Sequence, residues 1–524
     1  MLFACKLTVK NTYRNFLKPM AHTKDSLSDL KTELENETNQ FRAARLTKLK
    51  AVYDLNIDPY PSGFKKEHEI SDLLSRYSFL EEGQETQDVV TIAGRILSIR
   101  NSGMFIDLHG PSAKIQIFSH KNHLSETQQK LLLLLDLGDF IGVKGTVRRT
   151  PRGEITINAQ EITLLGKALL PPPEKYHGLS DLETRYRQRY LDLMANPETR
   201  ERLRQRSQII SEIRSWLTSH SFLEVETPML HTLAGGAAAR PFKTYHNALD
   251  MELFLRIAPE LFLKRLIVGG LSDKIFEINR NFRNEGISTR HNPEFTMIEI
   301  YQAYADGDVM IDLTESLMYH VAREVFGSEE FVFEEKKLDF KKPWNRKPML
   351  TLVEEATSIC FEKIHSLEDA KKAAHQKGID ANDAPTWGHV VEQVFAEKVE
   401  HTLIQPIHVT EFPLDISPLA KPHRHKPRLT ERFETYINGW EIANGFSELS
   451  DPRDQRERFM EQMREKAAGN EEAMPFDADF ITALEYGFPP AGGLGIGIDR
   501  LVMLLTNSPS IRDVIAFPTM RLKE

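Results

Sequence analysis

Three short constellations combine charged, aromatic and glycine residues at spacings that could do chemistry. The first is Phe282-Arg283-Asn284-Glu285, followed by Arg290-His291-Asn292-Pro293-Glu294-Phe295. A guanidinium carries a planar fork of donors and can clamp a carboxylate and a phosphate together, and an aromatic face can stack on a purine. Taken alone, the pattern would equally suit a charged hairpin with a salt-bridged loop. The second is Gly493-Leu494-Gly495-Ile496-Gly497-Ile498-Asp499-Arg500, opening onto the apolar run Leu501–Leu505. Small residues let a ligand approach the backbone, and Arg500 stands at the start of an expected helix. Its third glycine falls one residue early for a dinucleotide fingerprint, and no P-loop occurs. Tight packing is the other use of such a run. The third is Arg432-Phe433-Glu434 with Trp440-Glu441-Ile442-Ala443-Asn444-Gly445-Phe446-Ser447-Glu448-Leu449. Carboxylates beside an amide suit a hard cation held through oxygen, such as magnesium shared with phosphate. A solvated acidic face has the same composition.

The elements that must position these residues follow from periodicity. Val89–Arg95, Gly103–Leu108, Lys114–Phe118, Phe140–Val147 and Glu154–Ile157 alternate polar with apolar residues, with Gly and Pro between them and a leucine-rich helix between the third and fourth. That is the pattern of a small OB barrel. A polar, helix-favouring stretch over 26–52 precedes it and stops at Asp58-Pro59-Tyr60-Pro61. Pro171-Pro172-Pro173 makes a stiff linker. Beyond it, a long amphipathic helix opens at Asn196-Pro197, and strand-like runs follow at Leu253–Ile257, Lys274–Ile278 and Phe295–Tyr301. The expected fold is α+β: an N-terminal OB barrel, then a domain built on a mainly antiparallel sheet flanked by helices. The segments are an N-terminal extension 1–22, a helical segment 23–75, the barrel 76–170, a linker 171–189 and the larger domain 190–524, with a helical insertion over 331–400.

At 524 residues the chain is too long for one core. No apolar run is long enough to span a bilayer, so no membrane partner is expected. The two cysteines, Cys5 and Cys360, support neither a disulfide framework nor a thiolate zinc site, and suit a reducing cytoplasm. A net charge of -9 argues against indiscriminate nucleic-acid binding. Between Asp88 and Leu170, ten Lys or Arg still stand against seven Asp or Glu, so the barrel is locally basic. The first twenty residues hold Lys6, Lys10, Arg14 and Lys18 and no acid. An organellar presequence has that composition, and so does a frayed extension or one upstream of a start at Met20.

In this order and with the barrel ahead of them, the constellations resemble the class II aminoacyl-tRNA synthetases, in the subgroup of aspartyl, asparaginyl and lysyl enzymes. The resemblance runs from about Arg45 to the C-terminus. Phe222-Leu223-Glu224-Val225-Glu226-Thr227-Pro228-Met229-Leu230 is similar to the family's first motif, which contributes to a dimer interface; Phe282–Phe295 is similar to the second and Gly493–Arg500 to the third. Two departures are Ser221, where the first motif usually has glycine, and one apparent extra residue within Gly270–Lys274.

The resemblance implies which groups do what. Arg283 and Arg500 are the expected catalytic residues. Arg283, Glu285, His291, Asn292, Phe295, Glu434, Gly497 and Arg500 are expected to hold ATP, with Phe295 on adenine. Glu434 and Glu441 would carry magnesium. A lysyl pocket needs carboxylates for a cationic head, and Glu299, Tyr301 and Glu448 match the lysyl pattern, as do Gly236, Glu260, Asn444 and Phe446. Gly236 and Glu260 would receive the α-amino group and Arg283 the carboxylate. In the barrel, Phe105, Gln116 and Glu154 match anticodon-contacting positions, although each would also serve as ordinary barrel surface. The implied activity is ATP-dependent activation of L-lysine and its transfer to tRNA(Lys), by a homodimer in the cytoplasm. A ligase acting on a protein lysine and a binding-only paralogue are the rivals. The first lacks an anticodon barrel, and the second would normally have lost motif residues.

Overall fold

The computed structural model describes residue 30 and residues 32–173, 178–470 and 472–522. The expected extension 1–22 and part of the linker lie outside these. The chain divides into two compact units, Met1–His177 and Gly178–Glu524.

In the first unit the helix expected over 26–52 is interrupted at 37–39, where the Asn39 side chain accepts from the Phe41 and Arg42 amides and caps a fresh helix, α1 (Gln40–Asp54). Five strands follow: β1 (Glu85–Arg100), β2 (Phe105–His109), β3 (Lys114–Phe118), β4 (Phe140–Arg149) and β5 (Ile155–Gly166). They close into a barrel in the order β1-β2-β3-β5-β4. Alternation drives closure. Val90, Ile92 and Ile96 of β1 point inward and meet Ile106, Leu108, Ile117, Val143 and Ile157 in one core. Helix α2 (Glu126–Leu134) sits between β3 and β4; Ser125 and Gln128 form a reciprocal capping box, and Leu131 and Leu132 are buried.

The second unit is built on an eight-stranded sheet. Its strands, in chain order with two smaller sheets, are β6 (Leu223–Glu224), β7 (Leu230–His231), β8 (Lys243–His246), β9 (Met251–Leu255), β10 (Lys274–Phe282), β11 (Glu294–Ala303), β12 (Glu330–Phe333), β13 (Lys336–Asp339), β14 (Asn345–Pro348), β15 (Ile407–Thr410), β16 (Arg432–Ile437), β17 (Trp440–Ser447) and β18 (Ala491–Gly497). The large sheet runs β14-β15-β16-β17-β18-β11-β10-β6; only β14 with β15 and β10 with β6 pair in parallel. One face is covered by α3 (Pro197–Ser219), which buries Ile209, Ile213 and Leu217, and by α5 (Gly307–Phe326). Near the other face lies α4 (Glu260–Val268), which packs Leu261, Leu263 and Ile267 against Ile275 and Tyr301.

The region expected as a helical insertion over 331–400 begins differently. Phe331 and Phe333 turn inward while Val332 stays 56% exposed, so β12 and β13 form a hairpin whose buried face joins the main core. Helices begin only at Met349, and α6 (Trp387–Lys398) packs with Met349–Thr357 and Leu367–Gln376 around a separate core.

Candidate active site

The central strands place the three constellations on one surface. β10 and β11 form an antiparallel pair in which Asn281 faces Phe295 and Phe282 faces Glu294, leaving 283–293 as the connecting loop. Strand β18 lies between β11 and β17, with Gly493 opposite Tyr301 and Gly495 opposite both Glu299 and Asn444. Glu434 on β16 faces Asn444 on β17. The glycines in β18 are needed for close approach. A Cβ on Gly493 would stand 2.0 Å from Glu448 Oε1 and 2.8 Å from a Tyr301 ring carbon, a space no side chain can share. Gly236 adopts φ +90, which an L side chain rarely takes, and a Cβ there would crowd the Cβ atoms of Ala258 and Glu260 at 3.3 Å.

Over this surface lies a cavity of about 520 Å³, a size suited to a small-molecule site. Gly236, Glu260, Arg283, Glu285, His291, Asn292, Phe295, Glu299, Tyr301, Glu441, Asn444, Phe446, Gly497 and Arg500 all line it. Glu434 and Glu448 are absent from its lining and sit buried behind it.

Arg283 occupies the middle. Its amide donates to the Pro293 carbonyl at 2.9 Å, which pins the loop, and its guanidinium carbon lies 5.1 Å from the Phe295 ring centre. Its Nε is buried without a hydrogen-bond partner. Burial pushes the Arg283 pKa down from its ordinary value, and the nearby Glu285 and Glu441 charges oppose that shift. A desolvated guanidinium with an unused donor is poised for an anionic ligand. The buried Asn292 Oδ1 is likewise unpartnered, while its Nδ2 donates to the Glu294 carbonyl at 2.6 Å.

At one end the cavity is acidic. Glu299 is buried, accepts from the Tyr301 hydroxyl at 3.0 Å, and has its carboxyl pushed up to about 8 by burial and then by the charge of Glu260. Glu260 opens α4 and forms an ion pair with Lys264, one helical turn on. Lys264 also meets Glu448 Oε2 at 2.5 Å, and its Nζ lies 5.3 Å from the Phe446 ring centre. Glu448 is pushed up by burial, with Lys264 pulling it back. Asn444 accepts from Arg432 Nε at 3.3 Å.

The other end mixes cations with carboxyl groups. Arg500, on α7 (Ile498–Leu505), donates to the Glu441 carbonyl at 2.7 Å and lies 3.7 Å from its Oε2. Glu434 accepts from Arg432 and, at 2.6 Å, from the Tyr436 hydroxyl. Its carboxyl is nevertheless pushed up to about 7, first by burial and then by the charge of Glu441. A buried carboxyl group raised by a neighbouring carboxylate is short of positive charge, and oxygen donors suit magnesium. The described residues hold no group of three or more His, Cys, Asp or Glu arranged for a metal, so further ligands would come from phosphate or water.

Other contributors act through neighbours distant in sequence. Asp499 is buried and accepts from the Thr296 amide at 2.7 Å and from Arg206 of α3, which also donates to Thr296 Oγ1 at 3.0 Å. That network ties the long helix to β11 and to the start of α7. His389 and Glu392 of α6 also line the cavity. Lys264 stands four residues after Glu260, a spacing that sets both on one face of α4.

The barrel carries a separate aromatic surface. The Phe105 and Phe118 ring centres are 5.2 Å apart, Phe118 and His120 stack at 5.8 Å, and the Arg148 guanidinium lies 4.3 Å from the Phe118 ring centre. Gln116 is buried, donating to Glu154 Oε2 at 3.0 Å and accepting from Thr156 Oγ1 at 3.2 Å. Stacked aromatics beside a cation are what an unstacked base requires.

Comparison with known proteins agrees with this architecture. Residues 181–521 match the family model of class II tRNA synthetases (D, K and N), and residues 90–165 match that of the OB-fold nucleic acid binding domain. The chain belongs to the class II tRNA synthetases of the D, K and N group. Within that group its similarity runs to lysine–tRNA ligases. The one from Sinorhizobium medicae is 55% identical over 493 residues, covering 94% of this chain and 99% of that protein. The ligase from Rhizobium etli is 55% identical over 499 residues, covering 95% and 100%. That from Carboxydothermus hydrogenoformans is 52% identical over 490 residues, covering 93% and 99%.

Proposed function

We infer that this protein is a lysine–tRNA ligase that activates L-lysine with ATP and transfers it to the 3' end of tRNA(Lys). The observation that carries the reading is Arg283, with its unpartnered Nε, set between an acidic end and an end holding Arg500, His291 and Glu441. A ligand with two ammonium groups and one carboxylate fits the first end and reaches the arginine. A triphosphate fits the second.

In the first step a lysine carboxylate oxygen attacks the α-phosphorus of ATP. The bond from phosphorus to the bridging oxygen breaks, pyrophosphate leaves, and lysyl-adenylate remains. Arg283 bridges the carboxylate and the α-phosphate, so catalysis comes from positioning and charge neutralisation without a protein nucleophile. Phe295 stacks on adenine; Glu285, His291, Asn292 and Gly497 line the nucleotide end, and Arg500 meets the outer phosphates. Glu434 and Glu441 would hold magnesium, which would supply positive charge to neutralise the triphosphate. In the second step the terminal ribose hydroxyl of tRNA attacks the lysyl carbonyl and AMP leaves.

Gly236 and Glu260 hold the α-amino group; Glu299, Tyr301 and Phe446 surround the side chain. Glu448 lies behind that wall and acts on the ε-ammonium from there, and Asn444 fixes the pocket floor. Phe105, Gln116 and Glu154 form the anticodon surface, where the Gln116 amide has to release Glu154 or Thr156 to meet a base. The protein works as a homodimer through the segment around Leu223 and Leu230, both of which are more than two-fifths exposed. No helix among the described residues is long and apolar enough to cross a membrane. The protein acts in the cytoplasm, as its use of only two cysteines suits.

Amino-acid-dependent ATP–pyrophosphate exchange, run with all twenty amino acids and no tRNA, tests the activity. Exchange with lysine alone is expected. Exchange with aspartate or asparagine would overturn the pocket assignment, and no exchange with any of them would overturn the reading as an enzyme.

A further inference from the structure

The acidic end of the cavity contains a cation of its own. Lys264 is 1% exposed, and its ammonium is gripped between Glu260, which lines the cavity, and Glu448, which is buried behind it. The remaining charged or titratable groups near it are Glu299 and Tyr301 on β11, with Arg256 and Glu277 paired to each other at 2.6 Å beyond them. The neighbouring Arg265 faces away and pairs with Asp477 and Asp479. Lys264 is thus the single protein cation reaching Glu448, among the described residues. We infer that Lys264 is a positioning residue of the amino-acid pocket: its ammonium, seated between Glu260 and Glu448, lets Glu448 meet the ε-ammonium of the substrate as a carboxylate from behind the wall, together with Glu299. This inference rests on the pocket assignment under the proposed function.

The charge count supports it. Two carboxyl groups, Glu260 and Glu448, grip one lysine ammonium, and a third, Glu299, lies close enough to feel their charge. A diamino acid brings two more ammonium groups, and its carboxylate is met by Arg283. Every charge then has a partner. Burial pushes Glu448 up to about 8 against the opposing pull of Lys264, and the flanking Glu260 and Glu448 carboxyl groups hold Lys264 protonated. Without Lys264, the buried Glu448 loses the cation that opposes its protonation and holds its proton still more tightly. A protonated Glu448 is functionally close to glutamine. Lys264 also bridges α4 to the segment after β17, so it has a structural role that the test must separate out.

The test uses lysine-dependent ATP–pyrophosphate exchange from pH 6.5 to 8.5 with wild type, Lys264→Met, Glu448→Gln and the double variant. K264M is expected to raise the lysine KM at least tenfold at pH 7 and leave the ATP KM within twofold, with the lysine defect shrinking as pH rises and Glu448 regains its charge. The double variant is expected to lose that extra pH dependence, because no Glu448 carboxyl remains to titrate, while loss of the Glu260 partner shifts its lysine KM by the same factor at every pH. A K264M defect equal at every pH, or one shared by the ATP KM, would overturn the inference in favour of a purely structural role. If K264M does not fold, E448Q against the double variant still decides, with Glu260 the one carboxyl group that loses its partner. A ratio of their lysine KM values that changes with pH as steeply as the wild-type KM does would then sink the inference, since Glu448 is absent from both. Absence of lysine-dependent exchange in the wild type is a different result, and it condemns the pocket assignment itself.

Discussion

Arg500 Nη2 lies 3.1 Å from His291 Nε2, joining the end of the second motif to the start of the last helix in the site. Arginine has no acceptor, so His291 Nε2 must be the unprotonated nitrogen, and Nδ1 donates to Ser288 Oγ at 2.8 Å. Burial, then the charges of Arg500 and Arg290, pushes the His291 pKa below its ordinary value.

That pair predicts a pH dependence. The neutral ring is the form that supports Arg500, and it prevails at and above the ordinary histidine value of about 6.5. The ATP KM should be flat above that pH and change only as pH falls below it, when the imidazolium repels Arg500. His291→Ala should raise the ATP KM about tenfold and abolish this acid limb, with the lysine KM within twofold. An acid limb that persists in the variant would assign it to another group.

Arg283→Ala should lower kcat/KM for exchange by a factor of about 1,000 or more, the scale of losing a charge-stabilising donor in a dry site. Arg283→Lys should recover little, because a point charge cannot span a carboxylate and a phosphate as a planar fork does. Near-normal exchange in either variant would remove Arg283 from the central role.

Phe105→Ala should raise the KM for tRNA by roughly tenfold, in keeping with the about 1–3 kcal/mol that stacking on one base contributes. Lysine-dependent exchange, which needs no tRNA, should be unchanged. A parallel loss in both assays would point to a folding defect rather than a lost base contact.

Ser221 adopts φ 65 in the turn between α3 and β6, where only glycine sits without strain. Ser221→Gly should relieve about 1–2 kcal/mol of left-handed strain and lose about 0.5–1 kcal/mol to the more flexible unfolded chain. A net stabilisation of about 0.5–1 kcal/mol in chemical denaturation is expected. No change, or a loss of stability, would mean that the serine side chain contributes more than its backbone costs.

The barrel was legible because its strands alternate, and alternation leaves one closed arrangement that buries Ile92, Ile106, Ile117 and Val143 together. The start of the 331–400 region was not. Its charged residues, such as Lys336 and Lys337, hide a hairpin whose Phe331, Phe333 and Leu338 are recruited by a core distant in sequence. The site divides the same way. Arg283, Glu299 and Arg500 stand out by type and spacing, whereas Asp499 and Lys264 become intelligible only when Arg206 and Glu448 are beside them.

Sequence by itself determined the kinds of chemistry available: two arginines for anions, an aromatic for a base, carboxylates for cations, and the order in which they occur. Tertiary structure decided which of them share a surface and in what charge state. The reason is that charge depends on neighbours and on water. Glu299 and Glu434 are ordinary glutamates along the chain, and each is raised above the usual carboxylate range only by burial beside another carboxyl group. Whether a glutamate lines the cavity, as Glu299 does, or stands behind it on a lysine, as Glu448 does, is set by packing between strands and helices that no local pattern encodes.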